Sequence, residues 1–360
     1  MKSIPSILQS TYHRFVPERI RQTFYHSAPE SLRKQWDNIA QGKSSFSDVT
    51  EDDVYYCYRL FLKRKPTKQE CQYWFDHATQ YKFTINRLVQ HFLYSDEFIQ
   101  LQKSENQPYC VDLDSFKLFV RKNDYATGSS IAQHKSYEPL VAEQIKQRLS
   151  LGDTFIDIGA NIGYHAMLAA SIVGKNGQII AFEPLPSNCE LLALSISENK
   201  FEQVTVHPYA VGEKEDILTL MVEGTYSNAH LKTSEEGTIY HTDEVSVRVV
   251  TLDTFLTNLE RVDMVKIDIE GVEPLAWRGM ENLLRTFRPL VLTEFFPAYI
   301  KRASQIEPET YLEMMEQQGY DLFVLPHSLE SITPPHSKEQ ILQIHAESGF
   351  THLDILAVPQ

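Results

Sequence analysis

From Thr154 onward the chain alternates between two rhythms. Short apolar runs give way to stretches in which apolar positions recur every three or four residues, and then return. The runs predict strands at Thr154–Ile158, Gln178–Glu183, Val204–His207, Met264–Ile269, Leu290–Phe295, Leu322–Leu325 and His352–Val358. Between them the periodicity predicts helices at Ile162–Val173, Asn188–Asn199, Pro274–Leu284 and Glu309–Gln318. Ser187 should cap the second of these, with Glu190 completing a capping box. Two more strands, Ile217–Val222 and Val245–Val250, fall in an insertion spanning 213–250. Alternation of this kind implies an α/β fold, a doubly wound and mostly parallel sheet with helices on both faces. In such sheets ligands sit beyond the carboxyl ends of the strands.

The chain upstream of 151 reads differently. Residues 50–105 form a small helical module. Thr50 precedes Asp53 and Thr67 precedes Glu70 at capping-box spacing, and Pro66 separates the two helices. Tyr55, Tyr58 and Leu62, then Tyr73 and Trp74, give those helices an apolar side, and Ser95-Asp96-Glu97 starts a further one. Residues 106–150 form a lead-in, with a hairpin in Tyr109–Arg121 and a helix over Tyr137–Leu149 that carries Pro139 in its first turn.

Composition narrows the class. The 360 residues are 42% apolar and 23% charged, ordinary for a globular protein with a normal core. A net charge of −14 argues against broad nucleic-acid binding. The cysteines at 57, 71, 110 and 189 show no Cys-x-x-Cys spacing, which predicts free thiols in a reducing compartment. No apolar run approaches the ~20 residues of a membrane span, and no signal core follows Lys2. A cytoplasmic location is expected. Residues 1–49 depart from the acidic average, with seven Lys or Arg against four Asp or Glu and interleaved Tyr12, Phe15, Phe24 and Tyr25. They read as a leader packed on the main domain, or as a helix making peripheral contact with a membrane surface.

The predicted strand ends carry the chemistry. The first closes on Asp157-Ile158, with Asp157 just inside the strand, and runs into Gly159-Ala160-Asn161-Ile162-Gly163. The two glycines imply that something closely approaches the main chain. A nicotinamide fingerprint would be Gly-x-Gly-x-x-Gly, but Asn161 stands where its middle glycine would be. Asp157 beside the turn suits a cation better than a pyrophosphate. S-adenosylmethionine carries a sulfonium, an ammonium and no phosphate, and fits. Glu183 ends the second strand and can accept hydrogen bonds from ribose hydroxyls. Asp268 and Glu270 end what should be the strand beside the first, where period-two alternation would put both carboxylates on one face. Glu294 ends the next. Acids at four neighbouring strand ends repel one another, so a cationic ligand, a metal or raised pKa values must offset the charge.

These stretches resemble the FkbM-type methyltransferases, a Rossmann-like class I, S-adenosylmethionine-dependent family. The resemblance covers residues ~109–358. It rests on "YEP" at Tyr137–Pro139, "FIDIGANIGYHAMLAA", "IIAFEPLPSN", "VHPYAVGEKE", "VKIDIEGVEPLAWRGM" and "VLTEF". It implies a methyltransferase domain over 151–360 with an antiparallel last strand. It also implies methylation of a hydroxyl, often on a sugar or glycan. By position, Asp157, Gly159, Asn161 and Gly163 would line the methionine and ribose end of the cofactor, and Glu183 would hold the ribose. The 209–213 turn, with Ala210, would pass the adenine. Tyr137 and Glu138 would close over cofactor or acceptor, and Asp268 would lie near the methyl. Residues ~50–100, from "YRLFLKRKPTKQECQYW" through "LYSDEF", are similar to a helical module of unassigned function in bacterial proteins, although Glu70 stands where that pattern often has Gly.

Asp268 is the first candidate for the general base and Glu270 the second. A magnesium ion between Asp268 and Glu294 is the competing version. Glu294, Tyr226 and His230 are candidates for contact with the acceptor, and Tyr240 in the same insertion could stack on a sugar face. His165, on the helix after the glycine turn, faces either core or cofactor. Two other classes stay open: a nicotinamide-dependent oxidoreductase, and a non-catalytic glycan-assembly protein on an eroded enzyme fold.

Overall fold

The computed structural model describes residues 49–124, 127–223, 229–231, 242–325 and 334–360. The leader and Tyr226 therefore lie outside the described residues, as does Tyr240. His230 is described only as backbone. The chain divides into two units at Gln107/Pro108.

In the first unit four helices follow one another: α1 Glu51–Phe61, α2 Lys68–Gln80, α3 Ile85–Leu93 and α4 Asp96–Asn106. Both threonine boxes form, because each N-cap hydroxyl accepts the N–H three residues on and that residue's carboxylate accepts the cap's own N–H. Thr84 and Ser95 cap the other two helices. Val54, Tyr58, Leu88 and Phe92 make the centre of a small core. Arg64 reaches Glu70 at 2.7 Å and Glu97 at 2.6 Å, so Glu70 both closes a cap and anchors an arginine.

The second unit is built on seven strands. In chain order these are β3 Thr154–Ile158, β4 Gln178–Phe182, β5 Val204–His207, β10 Met264–Ile267, β11 Leu290–Phe295, β12 Tyr320–Val324 and β13 Leu353–Pro359. Their spatial order is β12-β13-β11-β10-β3-β4-β5. From β11 to β5 every neighbouring pair is parallel, and β13 runs antiparallel to both β11 and β12. The chain moves outward from β3 through β4 to β5 and then crosses to β10. The strand order thus reverses between β3 and β10, where open sheets of this type offer a crevice. One apolar cluster covers each face. Phe155, Met264 and Leu292 belong to one, Ile156, Val265 and Trp277 to the other, as alternation along buried strands requires.

Ahead of this sheet stand the hairpin β1 Tyr109–Asp112 and β2 Lys117–Val120, the short helix α5 Gly128–His134, and α6 Pro139–Arg148. The insertion forms a second sheet, β6-β9-β7-β8, from Ala210–Val211, Thr242–Val250, Asp216–Glu223 and Ala229–Leu231. No helix among the described residues is long and apolar enough to cross a membrane.

Three local expectations need correction. Helix α8, Pro186–Asn199, begins two residues earlier than the pattern suggests, because Pro186 occupies its first turn. Ser187 is therefore inside the helix and does not cap it, and Glu190 takes the Arg121 guanidinium instead. The stretch 274–284 is two helices, α10 Glu273–Arg278 and α11 Glu281–Phe287. A Cβ on Gly279, between them, would lie 2.0 Å from the Gly212 carbonyl oxygen. The chain bends there so that Gly279 and the 209–213 turn press backbone to backbone. Finally, β10 stops at Ile267, so Glu270 does not share a strand face with Asp268.

Candidate functional site

A cavity of about 600 Å³ opens at the carboxyl ends of β3, β4, β10 and β11, beside the strand-order reversal. Every one of these four strands ends near an acid: Asp157, Glu183, Asp268 and Glu294. Gly159, Asn161 and Glu183 line one side of the cavity, and Ala210 lines it from the 209–213 turn. Asp268, Glu270 and Glu294 line the other side, with Tyr137 and Glu138 from the segment before α6. Asp157 and Gly163 do not line it.

The glycine turn is shaped mainly by the protein itself. A Cβ on Gly159 would sit 2.0 Å from the Asp268 carbonyl oxygen, and Gly159 has φ +82. The close approach that the sequence implied is made by the exit of β10. Gly163 meets the Leu192 side chain in the same way. The turn is pinned from the other side, where the Gly159 and Ala160 N–H groups both donate to the Phe182 carbonyl, at 2.9 and 3.0 Å.

Backbone strain concentrates around this cavity. Nine non-glycine residues among those described have positive φ. Six of them follow helix C-termini, where a left-handed residue is routine. The other three are Glu138, Asn161 and Glu270, all on the cavity wall. Left-handed backbone away from a helix C-terminus costs about 1–3 kcal/mol per residue and persists only where the surroundings impose it. For Glu270 the restraint is visible. Glu273 is fully buried, and its Oε1 accepts the N–H groups of Ile269 and Gly271, each at 3.0 Å, closing the turn around Glu270.

Glu183 is 5% exposed. Its Oε2 accepts the Asn161 N–H and its Oε1 the Leu185 N–H, both at 2.9 Å. The Asn188 side-chain amide also donates to Oε1, at 3.3 Å, so Oε2 is the oxygen that keeps a lone pair for a further donor. Burial pushes its pKa up to about 7, against these hydrogen bonds. Asp157 lies deeper, at 1% exposure, and neither of its oxygens makes a well-formed hydrogen bond. Burial lifts it to about 6, with Lys266 opposing. Asn161 Oδ1 and His165 Nε2 are also buried without a hydrogen bond, so three such side chains stand along one strand end, its loop and the helix that follows.

Lys266 is the residue that sequence reasoning passed over. It occupies the middle of β10, a strand of four buried residues, opposite Asp157 in register. Its Nζ lies 2.9 Å from Asp268 Oδ2. Burial works against the charge, but Asp268, Glu138 and Asp157 outweigh it and hold the ammonium well above the usual lysine range. The cation beside Asp268 is therefore part of the chain. The signal was present as a lysine inside an otherwise apolar run, which hydrophobic pattern reading treats as an interruption.

The crowding of acids appears at the two carboxyls on the far wall. Burial, then Asp268, raises Glu294 to about 10, with Glu273, Glu270 and Asp354 adding to it. Burial raises Glu138 to about 8, against the pull of Lys266. Glu294 is therefore protonated at pH 7 in the ligand-free protein and can donate a hydrogen bond there. His352 Nδ1 lies 3.8 Å from Glu294 Oε1. His165, which is 4% exposed, lines the cavity, and burial drives its pKa well below the usual range. It is a neutral imidazole, with Nε2 3.7 Å from Glu138 Oε2. Among the described residues no group of three or more His, Cys, Asp or Glu is arranged to hold a metal ion.

With this geometry in view, the comparisons with known proteins can be placed. Residues 157–322 match the Methyltransferase FkbM domain. A protein-L-isoaspartate O-methyltransferase from Methanococcus aeolicus is 40% identical over 58 residues, 16% of this chain and 27% of that protein. Methyltransferase 1 from Beauveria bassiana is 28% identical over 149 residues, 36% of this chain and 59% of its own length. The chain thus spans about a quarter to three-fifths of these curated relatives. The solved methyltransferase FkbM from Methylobacillus flagellatus is similar with a TM-score of 0.36 at 13% identity, covering 84% of this chain and 58% of that one. The sheet, parallel but for β13 and wound on both faces, is Rossmann-like, of the class I methyltransferase type. Residues 157–322, which carry the glycine turn, Glu183, the 209–213 turn and the acids after β10 and in β11, belong to the FkbM methyltransferase family.

Proposed function

We propose that this unit is an S-adenosylmethionine-dependent O-methyltransferase whose acceptor is a hydroxyl of a sugar or glycan. The observation that carries the reading is that three strand-end acids, Glu183, Asp268 and Glu294, line one cavity, with Asp157 buried in the adjoining strand and Lys266 the one buried ammonium among the described residues. A cationic ligand offsets the remaining negative charge in a medium where charges interact strongly. The residues fit this cofactor. Glu183 has acceptor capacity left for ribose hydroxyls, the Ala210 turn offers backbone edges to the adenine, and Asn161 and His165 present polar atoms without a hydrogen bond on the methionine side.

When bound, the cofactor supplies an electrophilic methyl group on a sulfonium, and its transfer leaves a neutral thioether. The protein's tasks are alignment and proton removal. Gly159, Asn161 and Glu183 orient one end, with Asp157 beneath them and Gly163 packed behind. Asp268 takes the proton from the attacking hydroxyl, with Glu270 as the second candidate. Tyr137 and Glu138 close one side of the cavity. Glu294, neutral at pH 7, donates a hydrogen bond to a further hydroxyl of the acceptor. An uncharged polyol suits such a wall better than a phosphate or carboxylate, and this supports a sugar.

The test is incubation of the full chain with methyl-labelled S-adenosylmethionine and a bacterial extract, followed by separation into glycan, lipid and protein. The proposal expects label in the glycan fraction, sensitive to periodate cleavage of neighbouring diols. Label confined to protein or lipid replaces the acceptor class. Absence of transfer together with tight nicotinamide dinucleotide binding replaces the whole reading.

A further inference from the structure

Lysine is among the residues least often fully buried unless paired, yet Lys266 has a side chain only 6% exposed in the middle of a central strand. Its two strand neighbours in register are Leu292 and Asp157. Asp157 is close enough to favour the charge, but its oxygens receive no hydrogen bond from the ammonium. Nζ instead reaches forward to Asp268 Oδ2, at 2.9 Å, just past the end of the strand. No hydrogen bond within the described protein involves Asp268 Oδ1. Asp268 lies on the cavity wall with its side chain about a quarter exposed, so one oxygen is tied down and the other is available. The Asp268 backbone is fixed independently, because its N–H donates to Ile158 at 3.0 Å and its carbonyl packs on Gly159.

We propose that Lys266 is a positioning residue for methyl transfer: its buried ammonium holds Oδ2 of Asp268 so that Oδ1 receives the proton of the acceptor hydroxyl. This rests on Asp268 being the proton acceptor. In the step, the hydroxyl oxygen forms the new bond to the methyl carbon, the carbon–sulfur bond breaks with its electron pair going to sulfur, and the hydroxyl proton passes to Oδ1. Lys266 gains and loses nothing. A carboxylate free to rotate would spend much of its time out of line, and misplacement by about 1 Å can cost on the order of 100-fold in rate.

The test compares the full chain with Lys266→Met and Lys266→Arg. Crystals grown with S-adenosylhomocysteine show the position of Asp268 without any turnover. In Lys266→Met the Asp268 carboxylate should leave its place while Glu183 and Gly159 stay. In Lys266→Arg a guanidinium contact to Oδ2 should hold it, because arginine keeps the charge and the donors. An unmoved Asp268 in Lys266→Met overturns the proposal. Should Lys266→Met fail to fold, Lys266→Gln, which keeps a donor without the charge, answers the same structural question.

The kinetic arm uses tritiated S-adenosylmethionine and a purified bacterial capsular polysaccharide. Lys266→Met should lower kcat by about 100-fold or more, with the apparent KM for polysaccharide within about 3-fold. Lys266→Arg should recover to within about 10-fold of wild type. A KM effect alone, or an arginine variant as slow as the methionine one, also overturns the proposal. A wild-type chain that binds no S-adenosylmethionine by calorimetry sinks the underlying function, whatever Asp268 does in the variants.

Discussion

Two clusters in this molecule have the same ingredients and opposite behaviour. In the helical unit Arg64 sits between Glu70 and Glu97, all three partly exposed. There the cation wins, and the Arg64 hydrogen bonds bring Glu70 down to about 2. In the sheet unit Lys266 sits among Asp268, Glu138 and Asp157 behind the cavity wall. There burial wins over the cation, and Glu138 rises to about 8 and Asp157 to about 6. Water is the difference. In the first cluster solvent screens the charges and hydrogen bonds decide. In the second, desolvation of each carboxylate exceeds what one ammonium returns. The first arrangement holds helices together. The second stores an imbalance that a positively charged ligand would relieve.

The comparison can be broken most sharply at Asp268. Asp268→Asn should lower kcat by about 10²–10⁴ and leave S-adenosylmethionine affinity, by calorimetry, within a few-fold. Unchanged turnover would remove Asp268 from the proton path and transfer interest to Glu270. Next in size is Gly159→Ala. A left-handed alanine whose Cβ meets the Asp268 carbonyl should cost about 3 kcal/mol or more in urea unfolding, and shift Asp268 with it. A stability within 1 kcal/mol of wild type would show that the β10 exit yields easily.

A third effect concerns pH. Glu183 and Glu138 have folded pKa values above their unfolded ones, about 7 and about 8 against 4.5. The folded state therefore binds the extra protons. Their stabilising contribution is complete below pH 4.5 and is lost as pH rises through 7 and 8. Between pH 5.5 and 8.5 the ligand-free chain should lose roughly 5 °C in thermal midpoint, and saturating S-adenosylmethionine should flatten that slope. A midpoint rising over this range contradicts the burial argument. The smallest effect belongs to the exposed cluster, where Glu70→Ala removes both a cap partner and an Arg64 contact and should cost about 1 kcal/mol. That loss should shrink as pH falls from 4.5 towards 2, where wild-type Glu70 itself takes up a proton.

Much of this was legible in the chain. Apolar runs separated by helical spacing gave β11 at its observed bounds, and β3 likewise. The acids at the ends of β3, β4, β10 and β11 fall on four adjacent strands because the topology reverses between β3 and β10. Residues that act through a neighbour were harder to see. Lys266 reads as a break in an apolar run until Asp157 and Asp268 are seen beside it. Glu273 reads as an ordinary acid in the first turn of a helix, although its carboxylate folds the Glu270 turn. The split of α10 from α11 depends on Gly212, remote in sequence. Helix α12, Pro297–Ser304, opens on a proline in its first turn just past β11, a start signal that the pattern of apolar positions does not show. Helix α14, Lys338–Ser348, did carry a local signal, a Ser337/Gln340 capping box, which weak apolar periodicity obscured.

The most direct measurement is calorimetric titration of the full chain at pH 7 with S-adenosylmethionine and with S-adenosylhomocysteine, each in two buffers of different ionisation enthalpy. The cavity that holds buried, protonated carboxyls should bind the sulfonium with release of protons to buffer, and the neutral thioether with less. Equal proton release for both ligands, or no binding of either, would contradict the claim that these acids are there for a cationic methyl donor.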